Sequence, residues 1–247
     1  LFRSLAELGT IGALFPEAVG GFAGEGFDIS VVFECLGRGI VPEPLLGALL
    51  VGRALMLAGN AAQQAHLASL MDGTALAALA HDEPGAHYAL NHVATTASRA
   101  GDQWVLQGVK GLVSFGEKAD WLLVSARTSG ATDSAAGISL FLVPGQTAGI
   151  TRRSFNRIDG GRASELVFDH VHVGANALLG KEGAGHDVLE RIRHERQVSI
   201  LLVEQDAHLA LEFADDAYLL ETGQVVLSGK ASELAADEAV RRSYLGY

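Results

Sequence analysis

The residues best able to do chemistry fall in a few short clusters. His81-Asp82-Glu83 has the H-x-E spacing of zinc deaminases, in which the histidine binds metal and the glutamate moves protons. That chemistry also needs a P-C-x-x-C pair, and Cys35 is the one cysteine of the chain, so this cluster reads as non-metal. Its two carboxylates, Asp82 and Glu83, read either as a solvated turn or as acids beside a bound ligand. His194-Glu195 opens an H-E-x-x-H motif, but Val198 stands where the second histidine belongs. His170 and His172 share a strand face at a spacing that can hold metal. With no third ligand nearby, a polar strand face is the plainer reading. Gly183-x-Gly185 before a helix could cradle phosphate, and reads more simply as the end of a loop. A nucleotide P-loop needs Ser or Thr after its Gly-Lys. Gly180-Lys181 is followed by Glu182 and Gly229-Lys230 by Ala231, with Ala175 and Gln224 at the first-glycine positions.

Two kinds of element must position these clusters. Leu1–Leu8 reads as a helix tail stopped at Gly9, and Gly9–Gly26, with Pro16, as loop. Phe27–Gly39 sets Val31, Val32, Cys35 and Leu36 on one helical face. Pro42 and Pro44 break that helix. Leu45–Gly59 is apolar all round, as a buried helix is, and Ala61–Met71 is a further amphipathic helix. From Ala75 the apolar period changes to two. Strands are expected at Ala75–His81, Val93–Ala100, Gln103–Gly111, Trp121–Ser125, Ile138–Pro144, Ile150–Phe155 and Ala163–Val173. Gly101-Asp102 marks a hairpin turn, Ser129–Gly137 is a small-residue loop, and helix returns at Gly185–Arg196. The expected class is α+β. A helical domain spans 1–73, an antiparallel β-barrel or sandwich 74–175, a connecting helix 176–197 and a small α/β tail 198–247.

The chain has 247 residues, 49% of them hydrophobic, which allows a sizeable core. A net charge of −11 argues against nucleic acid or an anionic membrane as partner. A single cysteine leaves no internal disulfide and fits a reducing, cytoplasmic setting. No apolar run has the length of a membrane span. The first residue is Leu, which fits a fragment without its start.

The order of helical domain, β domain and returning helix resembles the acyl-CoA dehydrogenase family. Leu8-Gly9 through Phe15-Pro16-Glu17 and Gly20-Gly21 resembles the loop after its early helix, and Glu34 with Leu36-Gly37-Arg38 its E-x-L-G-R helix. Glu83-Pro84-Gly85-Ala86 stands where the family writes T-E-P-x-A-G-S. Gly108-x-Lys110, Ala119-Asp120 and Ala126-Arg127-Thr128 follow its N-G-x-K, A-D and A-R-T hairpin. Phe141-Leu142-Val143-Pro144, Asp169-x-Val171-x-Val173 and Leu178-Leu179-Gly180 lead back into helix. The resemblance is strongest to the branch that includes subunits of pimeloyl-CoA-type dehydrogenases.

The resemblance implies FAD-dependent removal of two hydrogens from an acyl-CoA thioester, with an electron-transfer partner and a homo- or hetero-oligomeric assembly. It implies that Leu79, His81, Asp82, Leu112 and Ser114 lie along the flavin ring, Ser114 hydrogen-bonding its edge. His87 and Tyr88 would approach the FAD pyrophosphate and the acyl-CoA. A carboxylate base must also remove the α-proton. The text departs from the family at Asp82, where a threonine is usual. A carboxylate there repels the electron-rich reduced ring. It departs again at His87-Tyr88, in place of Gly-Ser, and at Leu112, in place of an aromatic.

After Ile192 the text no longer resembles the family's C-terminal helical domain, which carries the catalytic glutamate. The base is therefore unassigned, and this chain is expected to have negligible activity. Val198–Leu245 instead resembles the end of the ATPase subunits of branched-chain amino-acid ABC transporters. Ile200–Val203 would be a core strand, Gln205 the switch-loop position, Ala207–Ala214 a helix and Tyr218–Leu227 a hairpin turning at Thr222-Gly223. The chain reads as a chimera joined near Arg193–Val198, through gene fusion or an assembly error. Two rival readings are a non-catalytic partner subunit that binds acyl-CoA or FAD, and an ATPase fragment without a P-loop. A strand removed from its parent sheet also predicts poor solubility or a loosely docked tail.

Overall fold

A computed structural model of the chain describes residues 2–22, 26–194, 211, 214–221, 224–237 and 240. The chain divides into two compact units, Leu1–Ser199 and Ile200–Tyr247. The first opens with helices α1 (Phe2–Glu7), α2 (Gly26–Arg38), α3 (Leu45–Ala58), α4 (Ala61–Gln64) and α5 (His66–Met71). α2 turns Ile29, Val32, Phe33 and Leu36 to the core, an i, i+3, i+4, i+7 stripe. This corrects the expected face, because Val31 and Cys35 are exposed. α3 is buried on most sides, as its composition requires. Gly47 lets it press on the sheet, since a Cβ there would lie 2.4 Å from the Ala77 carbonyl oxygen. The single helix expected over 61–71 is two, α4 and α5. Asn60 and Gln63 form a capping box on α4, and the Gln63 amide donates to the carbonyls of Asn176 and Leu178 at 3.0 and 3.1 Å. That first turn is thus tied to the β domain.

The sheet contains β1 (Ala77–Ala80), β2 (Thr96–Ala100), β3 (Gln103–Ser114), β4 (Trp121–Arg127), β5 (Ile138–Pro144), β6 (Ile150–Asn156), β7 (Arg162–Gly174) and β8 (Leu178–Leu179). Their order is β6-β7-β3-β2-β4-β5-β8, with β1 on β4. The β2 and β4 halves meet through one bridge, Thr96 opposite Arg127. Across the fold Trp104 of β3 meets Phe141 of β5 edge-on, with ring centroids 5.3 Å apart. The two halves therefore close on a shared core as a sandwich. The described strands form no closed barrel. Nor is the sheet wholly antiparallel, because β1 and β2 both run parallel to β4. β4 and β5 are mainly apolar, broken by Ser125, Arg127 and Ser139, because both faces are buried. Leu123, Leu140 and Leu142 face the helices, while Leu122, Val124, Phe141 and Val143 fill the sandwich.

α6 (Gly185–His194) follows, within the expected Gly185–Arg196. In the second unit β9 (Asp216–Glu221) and β10 (Gln224–Lys230) pair antiparallel, and α7 spans Ala231–Ala236. The expected hairpin is therefore present, with Thr222 and Gly223 outside the described residues. The expected strand Ile200–Val203, Gln205 and most of the helix at Ala207–Ala214 also lie outside them. Among the described residues no helix is long and apolar enough to cross a membrane.

Candidate functional site

The site is built where the segment after β1 lies against the end of β3. Along β3, Trp104, Leu106 and Lys110 share the inward parity of alternating side chains. The pairing with β7 then shifts register between Lys110 and Val113. A bulge of this kind inserts an extra residue and reverses which side chains face in. Val113 is thereby buried, and Leu112 and Ser114 face outward. β3 runs to Ser114, three residues past its expected end at Gly111, and this extension presents both side chains.

The segment 81–83 is clamped beside them. The Gly111 N–H donates to the Asp82 carbonyl at 2.8 Å. Lys110 is fully buried, and its ammonium uses its three donors on Glu83 Oε1 (2.6 Å), Ser125 Oγ (2.9 Å) and the His81 carbonyl (3.1 Å). Glu83 also accepts from the N–H groups of Ala94 (2.6 Å) and Thr95 (3.0 Å). That is why β2 begins at Thr96 and not at the expected Val93. Burial pulls Lys110 down to about 8, with Glu83 opposing, so it stays cationic at neutral pH. Burial pushes Glu83 up, but the Lys110 charge and the hydrogen bonds outweigh this and hold it below the usual carboxylate range. Glu83 is thus neither a solvated turn acid nor a free base; it is the buried counterion of Lys110.

The remaining candidates are placed as follows. Leu79 lies in β1 opposite Leu123, half-buried. His81 is buried, its Nδ1 2.9 Å from Ser125 Oγ. Lys110 already donates to that oxygen, so the hydroxyl hydrogen is left for Nδ1, and the ring proton is assigned to Nε2. Asp82 is half-buried, and burial raises its pKa while Lys110 and Arg193 oppose the rise. His87 and Tyr88 sit beyond Pro84, exposed, with φ of 46° and 63°. Leu112 is 43% exposed. Ser114 is exposed, and its Oγ accepts from Arg157 Nη1 at 3.1 Å. The fold therefore brings 79–83 to 110–114 and leaves His87 and Tyr88 further along the chain. Sequence reasoning passed over Ser125 and Arg157. It took Lys110 and Arg127 only as motif letters.

Arg127 organises the neighbouring loop. Its guanidinium donates to the carbonyls of Asn91, Val93, Ser129, Thr132, Ser134 and Ala136 at 2.8–3.4 Å. His81 and Glu83 are committed to Ser125 and Lys110, so the H-x-E cluster is not a metal site. No group of three or more metal-ligating side chains occurs among the described residues. A cavity of about 310 Å³, lined by His66, Trp121 and His172 among others, lies at the Trp121 end of β4, away from this site.

The exposed outer face of β3 suits a flat aromatic group. Leu112 offers an apolar surface. Ser114 accepts from Arg157, so its own hydrogen is available to an acceptor on the ring edge.

Comparison with known proteins gives this geometry a family. The family model for the acyl-CoA dehydrogenase N-terminal domain matches residues 1–74, and that for the middle domain residues 78–171. The acyl-CoA dehydrogenase IpdE1 of Mycobacterium tuberculosis is 33% identical over 204 residues, covering 81% of this chain and 53% of its own length. The (2S)-methylsuccinyl-CoA dehydrogenase of Cereibacter sphaeroides is 29% identical and aligns with 98% of this chain and 48% of itself. A solved structure described as an FAD-dependent dehydrogenase superposes with a TM-score of 0.67 at 26% identity, covering 77% of this chain and 54% of that one. The chain thus spans about half the length of these relatives. Through these two domains, it belongs to the acyl-CoA dehydrogenase family.

Proposed function

We propose that the first unit is the N-terminal and middle part of a flavin site for α,β-dehydrogenation of acyl-CoA thioesters. The observation that carries this reading is the outward pair Leu112 and Ser114, set by the β3 bulge beside the clamped segment 81–83. When bound, FAD supplies the acceptor for the hydride of the β-carbon. Leu112 covers a ring face, and Ser114 donates to the ring's polar edge. Leu79, His81 and Asp82 line the adjoining side. His87 and Tyr88, on the exposed turn, approach the pyrophosphate and the thioester. The buried ion pair of Lys110 and Glu83 holds segment and strand together while both charges stay out of the reaction.

We assign the α-proton base to no described residue, because Glu83 is engaged by Lys110 and two backbone N–H groups. With no base among its described residues, the first unit is expected to bind flavin and acyl-CoA without turnover. The same observation supports a second reading, a partner subunit that contributes this wall to an oligomer reduced and reoxidised with an electron-transfer partner. A single cysteine suits a reducing, cytoplasmic setting. For residues 198–247 we retain the kinship to an ABC-transporter ATPase end, supported by the β9–β10 hairpin, with no P-loop and hence no ATP hydrolysis.

Purified protein titrated with FAD is expected to retain the flavin through gel filtration and to show its visible bands. Added acyl-CoA should leave those bands unbleached. Failure to retain flavin at excess FAD overturns the reading, and bleaching by an acyl-CoA overturns the assignment of the base elsewhere.

A further inference from the structure

Arg157 lies outside the motifs quoted above, yet it contacts the hydroxyl at the centre of the flavin reading. It follows β6 in the turn to β7. That turn is closed by Arg157 N–H to the Gly161 carbonyl at 2.8 Å and Gly160 N–H to the Arg157 carbonyl at 3.2 Å. Asp159 braces it from inside, its Oδ1 accepting from the Gly161 N–H at 2.9 Å and its Oδ2 from Arg157 Nη2 at 2.5 Å. Strand register brings the turn to the site. Ser114 of β3 lies opposite Ala163 of β7, and Ala163 opposite Phe155 of β6. Arg157, two residues past Phe155, reaches Ser114 Oγ with Nη1 at 3.1 Å.

The direction of that hydrogen bond is fixed by chemistry. A guanidinium has five N–H donors and no acceptor, so Ser114 must accept. Its hydroxyl hydrogen is then free for a different acceptor. We propose that Arg157 is a positioning residue for the flavin, acting through Ser114. It turns the Ser114 hydroxyl outward as a donor to the nitrogen–carbonyl edge of the ring, and polarises it with a cation held in place by Asp159. A hydrogen bond drawn from a charge-polarised hydroxyl is stronger than a neutral one. This inference rests on the flavin reading above, and it would explain how a serine with a leucine neighbour grips the ring.

The test is a double-mutant cycle on the full chain, with the FAD dissociation constant read by quenching of flavin fluorescence. Arg157→Gln should weaken binding about tenfold, as for a lost charge-assisted hydrogen bond. Ser114→Ala should weaken it by a similar factor. With Ser114→Ala already present, Arg157→Gln should add less than about twofold, since coupling appears as non-additivity. Arg157→Lys, which keeps a cationic donor, should recover most of the loss. Arg157 is exposed, so circular dichroism and Tm are expected to be unchanged in every variant. Full additivity of the two losses, or an Arg157→Gln effect under about twofold, overturns the proposal and leaves the flavin reading standing. Wild-type protein that binds no FAD overturns both.

Discussion

Burial and the neighbouring Lys110 charge hold His81 down to about 3, so its imidazole stays neutral where a free histidine titrates. The unfolded chain takes up this proton near 6.5, and the folded chain refuses it. Stability from this group is therefore fully present above pH 6.5 and is lost as pH falls toward 3. Between pH 6.5 and 4 the loss is expected to be about 3 kcal/mol. Urea unfolding midpoints across that range should fall steeply for the wild type and more shallowly for His81→Gln. Equal slopes would remove His81 as the source. At this scale the sequence told part of the story. Lys110 shares the parity of Trp104 and Leu106, so a reader of alternation could have set it indoors and looked for an anion. Glu83 looked like a turn acid because its partner lies 27 positions away and only the fold brings them together.

At the scale of elements, the position of segment 81–83 depends on how closely α3 approaches β1. A methyl group at Gly47 would meet the Ala77 carbonyl at 2.4 Å, and backbone cannot yield as a side-chain tip can. Gly47→Ala is expected to destabilise by about 1–3 kcal/mol, lowering Tm by roughly 3–10 °C. An unchanged Tm would show that the helix can shift freely. The mainly apolar runs of α3, β4 and β5 were legible because each is largely buried and few polar residues (Arg53, Ser125, Arg127 and Ser139) interrupt the pattern. The bulge in β3 was not. One extra residue leaves no compositional mark beyond Gly111, and it alone decides that Leu112 and Ser114 face out. Parallel pairing of β1 and β2 with β4 was equally hidden, since alternation records burial and not strand direction. The face of α2 was misjudged by a fraction of a turn because Val31 and Cys35 are apolar but exposed.

At the scale of the molecule, both core clusters of the first unit are complete by Ile192 among the described residues. The boundary between the two compact units falls between Ser199 and Ile200. Ending the chain at Ser199 is expected to move the Tm of the first unit by less than about 3 °C, on the order of 1 kcal/mol. A drop of tens of degrees would show that the second unit completes the core. The helical and β regions, with their order, were readable from the change of apolar period near Ala75. How the two halves of the sheet face each other was not, because that depends on a single bridge between Thr96 and Arg127.

That same Arg127 has a consequence for how the protein can vary. Its guanidinium reads only main-chain oxygens across Asn91–Val93 and Ser129–Ala136. Main-chain oxygens are the one feature every amino acid shares. Much of the loop's shape is thus stored in a residue outside it, while Gly130 and Gly137, at φ of 78° and 88°, fix the rest from within. Its other letters can drift more readily than that one arginine. Lysine, with no planar fork, would be a poor substitute.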